Sequence, residues 1–402
     1  FGGAKVDALF DQRIKNKEKY DAKVAFNEFD LGKLIKNDSI GKITLNAKVK
    51  GTGLDPKTAN AQLKAIVNKA TYNKYTYKDL SLDGKIANGL YDIKSNMDDP
   101  NLTFKLLANG GFEDKYPAVK LDLNLDIADL EKLNLHAGPM KLRGNVDADI
   151  TNSNPDFLNG TVFLSNVQIL QDKEPIVLDS IKVVAFADAE KNNIQINSQF
   201  LKAEMDGKYK LTTLSSSLKK SLSKYIDLQS PTDKANNDKQ QVTLNVTVKN
   251  DPVLFQLVPK LTGLEPINLT ANYSNVTDSL QMKGSIPRIV YAGNTISGAT
   301  INVENKENAL DYNISVATVE NGDFKLPKTV LSGKVENNIV DYALQINDLS
   351  DKEKYYLAGQ LEHKTDQNTF KIDAEKVILN YENWTVNPQN SIEFGNAGLY
   401  IN

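Results

Sequence analysis

One short phrase occurs three times in this chain. Lys42-Ile43-Thr44-Leu45-Asn46-Ala47 aligns with Lys141-Leu142-Arg143-Gly144-Asn145-Val146, and that aligns with Asn268-Leu269-Thr270-Ala271-Asn272-Tyr273. The same offsets, 99 (141 − 42) and 127 (268 − 141), bring Asp30-Leu31 onto Asp129-Leu130 and Gln256-Leu257. Each copy reads as a short Leu-bearing turn or helix followed by an alternating strand. A copied supersecondary unit cannot bury its apolar face alone, so neighbouring copies must stack. The repeat therefore predicts an extended β-solenoid and overrides the two or three globular domains that a length of 402 would suggest.

Strict alternation between apolar and polar residues dominates the rest. Lys120 to Ile127 places Leu121, Leu123, Leu125 and Ile127 on one face and polar groups on the other. Leu142, Val146 and Ala148 repeat the pattern, as do Val242, Leu244, Val246 and Val248. Leu45, Ala47 and Val49 belong to the first copy of the phrase, Ile267 and Leu269 to the third. Period-two alternation marks a half-buried antiparallel strand, and a slip of one residue would turn every one of these side chains outward. All sixteen are expected to share one apolar face. Turn signals separate the strands at Gly51–Pro56, Asp98–Asn101, Asn109–Gly111, Asn192-Asn193 and Asn337-Asn338.

One segment has a different period. Leu211, Leu214, Leu218, Leu222, Tyr225 and Ile226 recur every three or four residues, with Ser215, Ser216, Lys219, Lys220, Ser223 and Lys224 between them. This predicts an amphipathic helix over about 211–226 that lies on the apolar face. The polar stretch Gln229–Gln241 has too little apolar content to order itself and reads as a flexible loop. Asp251 followed by Pro252 opens a shorter helix. The expected organisation is two repeat units over 1–228, the loop over 229–241, and a third unit with further strands over 242–402, with no sharp boundary before Leu228.

Composition narrows the function. The net charge of −3 comes from nearly balanced acids and bases, which gives nucleic acid no basic footprint to meet. Without cysteine there is no disulfide, thiolate nucleophile or cysteine-held zinc. No apolar run reaches the 18 residues of a membrane-spanning helix. The two histidines, His136 and His363, are far apart and read as surface imidazoles. No nucleophile elbow, phosphate loop or dinucleotide fingerprint is present. Asp98-Asp99 precedes Pro100 and is turn chemistry, while Asp147 and Asp149 sit on the polar side of a strand. Tyr72, Tyr75, Tyr77 and Tyr91 would form either a stacking platform or ordinary cross-strand pairs, of which the second is commoner. The expectation is a non-catalytic protein with no cofactor and no metal.

Several phrases resemble a known family. They are Phe29-Asp30-Leu31-Gly32-Lys33-Leu34 followed by Gly41 to Leu45, Tyr77 to Gly84, and Asp98-Asp99-Pro100-Asn101-Leu102. Ile127 to Leu135, Leu158 to Val162, Leu178 to Ile181, Leu222 to Tyr225 and Trp384-Thr385-Val386 continue the series. Together they resemble the periplasmic body of TamB-like (translocation and assembly module) proteins within the AsmA-like group, in its Bacteroidetes form. The resemblance covers most of the chain but lacks the family's N-terminal anchor and Gly-rich C-terminal region, so the sequence reads as a fragment. It implies an elongated antiparallel repeat sheet folded lengthwise into an open apolar groove, a β-taco. It further implies periplasmic localisation with an inner-membrane anchor and an Omp85-type outer-membrane barrel as partner. The function implied is carriage of phospholipid acyl chains between membranes, support of outer-membrane protein assembly and secretion, or both.

On the residues alone, the alternating face serves equally as the inside of a β-sandwich or the lining of a groove. Three functions follow: a lipid conduit, a scaffold that templates outer-membrane strands by β-augmentation, and a secreted sandwich that binds or adheres. With few helices to cover a sheet, the repeat favours the groove.

Overall fold

The computed structural model describes residues 2–14, 17–112, 115–171, 174–227, 237–364, 367–396 and 398–402. The fold is 68% strand and 6% helix, and its 28 antiparallel strands form an open sheet that is not closed into a barrel. Contacts divide the chain into two units, Phe1–Phe186 and Ala187–Asn402. This division falls upstream of Leu228, where the repeat alone placed no boundary.

The first unit is a meander. Its elements are β1 (Gly3–Asp11), β2 (Lys19–Asp30), α1 (Leu31–Ile35), β3 (Ile40–Thr52), β4 (Asn60–Tyr72), β5 (Tyr75–Ala87), β6 (Leu90–Asp99), β7 (Leu102–Gly111), β8 (Ala118–Asp129), β9 (Met140–Asn152), β10 (Asn159–Gln171) and β11 (Glu174–Ala187). Each strand pairs with the next along the chain. Hairpins of this kind follow from the short polar turns between alternating runs.

The second unit continues in the same manner. It contains β12 (Asn192–Ser198), β13 (Leu201–Lys208), α2 (Leu211–Leu222), β14 (Gln241–Val248), α3 (Pro252–Leu257), β15 (Leu261–Leu264), β16 (Ile267–Ser274), β17 (Ser279–Tyr291), β18 (Asn294–Lys306) and β19 (Ala309–Val316). Then come β20 (Thr318–Asn321), β21 (Phe324–Leu326), β22 (Thr329–Glu336), β23 (Ile339–Asn347), β24 (Glu353–His363), β25 (Gln367–Leu379), β26 (Glu382–Asn383), β27 (Ile392–Gly395) and β28 (Gly398–Ile401). The short β15 and β16 both pair with β17 and form one interrupted strand. Pro266 lies at the break, where a missing N–H is tolerated.

The three copies of the repeated phrase occupy β3, β9 and β16, six strands apart along the chain when β15 and β16 are counted as one. A compact turn precedes each. Asp30 caps α1 by accepting from the Lys33 amide, and Asp129 accepts from the Lys132 amide before the turn that buries Leu133. Asp251 caps α3 through the Val253 amide. The cap moves from Asp129 to Asp251 rather than to the aligned Gln256, because the third connection is longer.

The sheet has little over it. Among the described residues eighteen hydrophobics are buried, and six of those are alanine. The chain exposes 24538 Å2, whereas a 44.5 kDa monomer with a sealed core exposes roughly 16,000 Å2. Among the described residues of the first unit, no second sheet lies over the apolar residues that alternation gathers on one side.

The predicted turn chemistry is found at Asp98–Asn101. Asp99 is 1% exposed and accepts from the Tyr75 hydroxyl, the Lys78 amide and the Asn101 amide. These hydrogen bonds satisfy a buried carboxylate without a cation.

Candidate functional site

Register aligns the apolar residues of the first unit into rows that cross all eleven strands. The central row runs Val6, Val24, Ala47, Ala65, Leu82, Ser95, Leu106, Leu123, Val146, Leu164 and Ile181. A parallel row contains Val49, Leu63, Ile93, Ala108, Leu121 and Ala148, and another Phe26, Leu45, Val67, Met97, Phe104 and Leu125. The one hydroxyl in the central row, on Ser95, is buried and donates to the Ser81 carbonyl. Most other members are half-buried: shielded by their neighbours along the sheet and open in front.

The register thus brings Leu45, Ala47, Val49, Leu121, Leu123, Leu125, Val146 and Ala148 onto one face. Ile127 departs from it. A bulge between Leu125 and Ala128 pairs Ile127 with Thr103, on the opposite side from Phe104, and Ala128 takes the apolar position opposite Leu142. Such an insertion flips every residue beyond it.

A concavity of about 460 Å3 lies on this face. It is lined by Ala61, Leu63, Gly84, Ile86, Tyr91, Ile93, Ala108 and Phe112, with Lys85 and Pro117 at its margin. That volume is in the range of ligand pockets, roughly 300–1,000 Å3. Sequence reasoning missed these residues. The signal was the alternation of Ala61, Leu63, Ala65 and Val67, obscured by the extra Ile66 on the polar side.

The tyrosines do not make one platform. Tyr75 packs edge-on against Tyr77 at 4.8 Å and bonds to Asp99, while Tyr91 packs against Phe112 at 5.0 Å. Tyr72 and Tyr75 face each other across their hairpin. His136 is exposed and contacts the Gly138 carbonyl; His363 contacts Asn368. Among the described residues no group of His, Cys, Asp and Glu is placed to hold a metal.

In the second unit one row runs Met205, Leu244, Ala271, Met282, Val303, Tyr312, Gly333, Tyr342, Gly359 and Ile372. The neighbouring row holds Val246, Leu269, Gly284, Ile301, Ile314, Leu331, Leu344 and Leu357. Val242, Val248 and Ile267 lie on the same face.

Helix α2 crosses one end of this face. Leu211, Leu214 and Leu218 pack on Tyr209, Val242 and Tyr273, together with Met205 and Leu280. The helix ends at Leu222, one turn earlier than its periodicity predicts, and Tyr225 is buried in the turn beyond. Ser221 bonds to the Tyr273 hydroxyl, Lys224 pairs with Asp278, and the Tyr225 carbonyl accepts from the Asn338 amide. The segment from Lys210 to Tyr225, helical over Leu211–Leu222, thereby reaches from β13 to the β22–β23 turn.

Of the polar stretch 229–241, residues 229–236 lie outside the described ones. Its end is well held. Gln240 is fully buried, accepting from the Lys210 amide and donating to Thr213, and Asp238 binds Lys210 and Thr213. These contacts fix the start of α2, which has no side-chain cap from its own N-cap residue.

Two predictions arise here. Replacing Leu214 and Leu218 together with Ser should lower the stability of the second unit by about 2–4 kcal/mol. An unchanged denaturation midpoint would show that the helix packing contributes nothing. The second concerns alkali. Burial, and then the nearby Asp206 carboxylate, push the Tyr209 hydroxyl up to about 12. Burial does the same for Tyr342. The fold therefore prefers the neutral phenols. That stability is complete below about pH 10, where an unfolded tyrosine starts to ionise, and is lost as pH rises toward 12. Tyr209→Phe should flatten the fall in melting temperature across that window; a slope equal to wild type would refute the assignment.

Comparison of the chain with protein-family models, curated proteins and solved structures returned no match. Among the described residues no helix is long and apolar enough to cross a membrane.

Proposed function

We propose that this chain is a non-catalytic lipid-binding segment whose apolar sheet face holds acyl chains. The observation that carries the reading is that face itself, aligned in rows over strand after strand and, among the described residues of the first unit, only half-buried. Wide exposed apolar surface marks a binding site. Each methylene withdrawn from water contributes about 0.8 kcal/mol, so an acyl chain lying across several strands needs no polar anchor. Because such contacts have no direction, the chain remains free to slide. The resemblance to TamB-like proteins adds the setting: the periplasm, phospholipid moving between two membranes, and an Omp85-type barrel as partner. In that setting α2 covers one end of the second unit's face and limits access there.

The test is direct. The purified chain is extracted with organic solvent and the extract analysed by mass spectrometry; delipidated protein is then titrated with a fluorescent fatty acid. Phospholipid in the extract and saturable binding are expected. A lipid-free extract with no saturable binding would exclude the reading.

A further inference from the structure

The opposite, polar face follows a habit: a lysine on one strand meets a carboxylate on the next. Lys50 reaches Asp21 at 3.3 Å, Lys64 reaches Asp83 at 3.0 Å, and Lys120 reaches Asp149 at 3.3 Å. A run of lysines breaks it. Lys23 is directly opposite Lys48, and Lys48 is directly opposite Lys64, across three adjacent strands. Like charges in direct register oppose sheet formation. Among the described residues no carboxylate lies within salt-bridge distance of Lys23 or Lys48.

The same lysines line a concavity of about 810 Å3 on the polar face, with Lys5 and Lys94 at its margins. Asn46, Ser81 and Asn96 supply neutral hydrogen-bonding groups in the adjoining row. Asp7 and Asp83 are the acids at the ends of the lysine row, and Lys64 already holds Asp83. The net charge of the hollow is positive, although the chain as a whole is negative.

We propose that this hollow binds a linear phosphate polyanion across β2, β3 and β4. Adjacent strands root successive lysine side chains about 5 Å apart, so one extended anion meets several of their ammonium groups at once. Lysine ammoniums are compact, rotatable donors that meet the oxygens of a tetrahedral phosphate as point charges. The proposal rests on the lysine row and does not depend on the lipid reading.

Isothermal titration of the whole chain with inorganic tripolyphosphate at low salt tests the proposal. Saturable binding that weakens as salt rises is expected. Lys23→Gln with Lys48→Gln should weaken it by at least about tenfold, while Lys120→Gln, on the same face in β8, changes it less than about twofold. The double variant should also melt higher than wild type without ligand, since it removes like-charge pairs; this confirms that it folds. No binding at low salt, or equal weakening by Lys120→Gln, overturns the site. Tighter binding of trigalacturonate than of tripolyphosphate overturns the phosphate assignment.

Discussion

Val146→Asp should leave the sheet folded and remove most of its acyl-chain binding. Val146 stands mid-row, between Leu123 on β8 and Leu164 on β10, and is half-buried. In a sealed core an unpaired carboxylate costs several kcal/mol. Here the new group faces an uncovered surface and stays hydrated, so the loss is that of two cross-strand contacts, about 1–2 kcal/mol. A bound acyl chain would have to strip that hydration, and occupancy should fall about tenfold or more. Leu125→Asp, opposite Phe104 in the next row, should behave alike. Val146→Ala serves as the comparison: it shortens the side chain without a charge and should retain most binding. The readouts are extracted lipid per mole of protein and the denaturation midpoint. Undiminished lipid in the Asp variant would sink the acyl-binding reading. Global unfolding would mean the face is sealed by something the register does not show.

Strand alternation made most of this face legible. Leu121, Leu123 and Leu125, or Val242, Leu244 and Val246, need only their own spacing to be assigned together. Ile127 failed because alternation is a rule for unbroken strands, and nothing in Leu125-Asp126-Ile127-Ala128 announces an extra residue. Gln240 failed for another reason. Composition describes what a segment can bury among itself, whereas Gln240 is ordered by Lys210 and Thr213 from a distant part of the chain. Helix α2 was readable from its Leu spacing, but the span it bridges was not, since that depends on Asn338 reaching Tyr225. The lysine run was hidden for the same reason. Lys23, Lys48 and Lys64 are neighbours only through two hairpin registers.

Long-range register also governs a substitution expected to cost much stability, Gly333→Ala. Tyr312, Gly333, Tyr342 and Gly359 stand opposite one another on β19, β22, β23 and β24. The Tyr312 hydroxyl reaches past Gly333 to donate to the Asp341 carbonyl at 2.8 Å. Tyr342 likewise reaches past Gly359 to the Lys371 carbonyl at 3.1 Å, its ring stacked on Phe370 at 5.1 Å. A Cβ on Gly333 would fall 1.9 Å from the Asp341 oxygen and 2.8 Å from the Tyr312 hydroxyl; one on Gly359 would fall 2.0 Å from the Lys371 oxygen. The nearest atoms are backbone, so no rotamer change relieves the clash. β22 and β23 must move apart, and the Tyr312 hydrogen bond goes with the move. Overpacking costs typically 1–3 kcal/mol and the lost hydrogen bond about 1 kcal/mol, so Gly333→Ala should destabilise the second unit by about 2–4 kcal/mol. Tyr312→Phe removes only the hydrogen bond and should cost about 1 kcal/mol. Chemical denaturation of the two variants separates the contributions. If Gly333→Ala stays within about 0.5 kcal/mol of wild type, a range usual for uninvolved surface sites, close approach at this glycine does not matter to the pairing of β22 with β23.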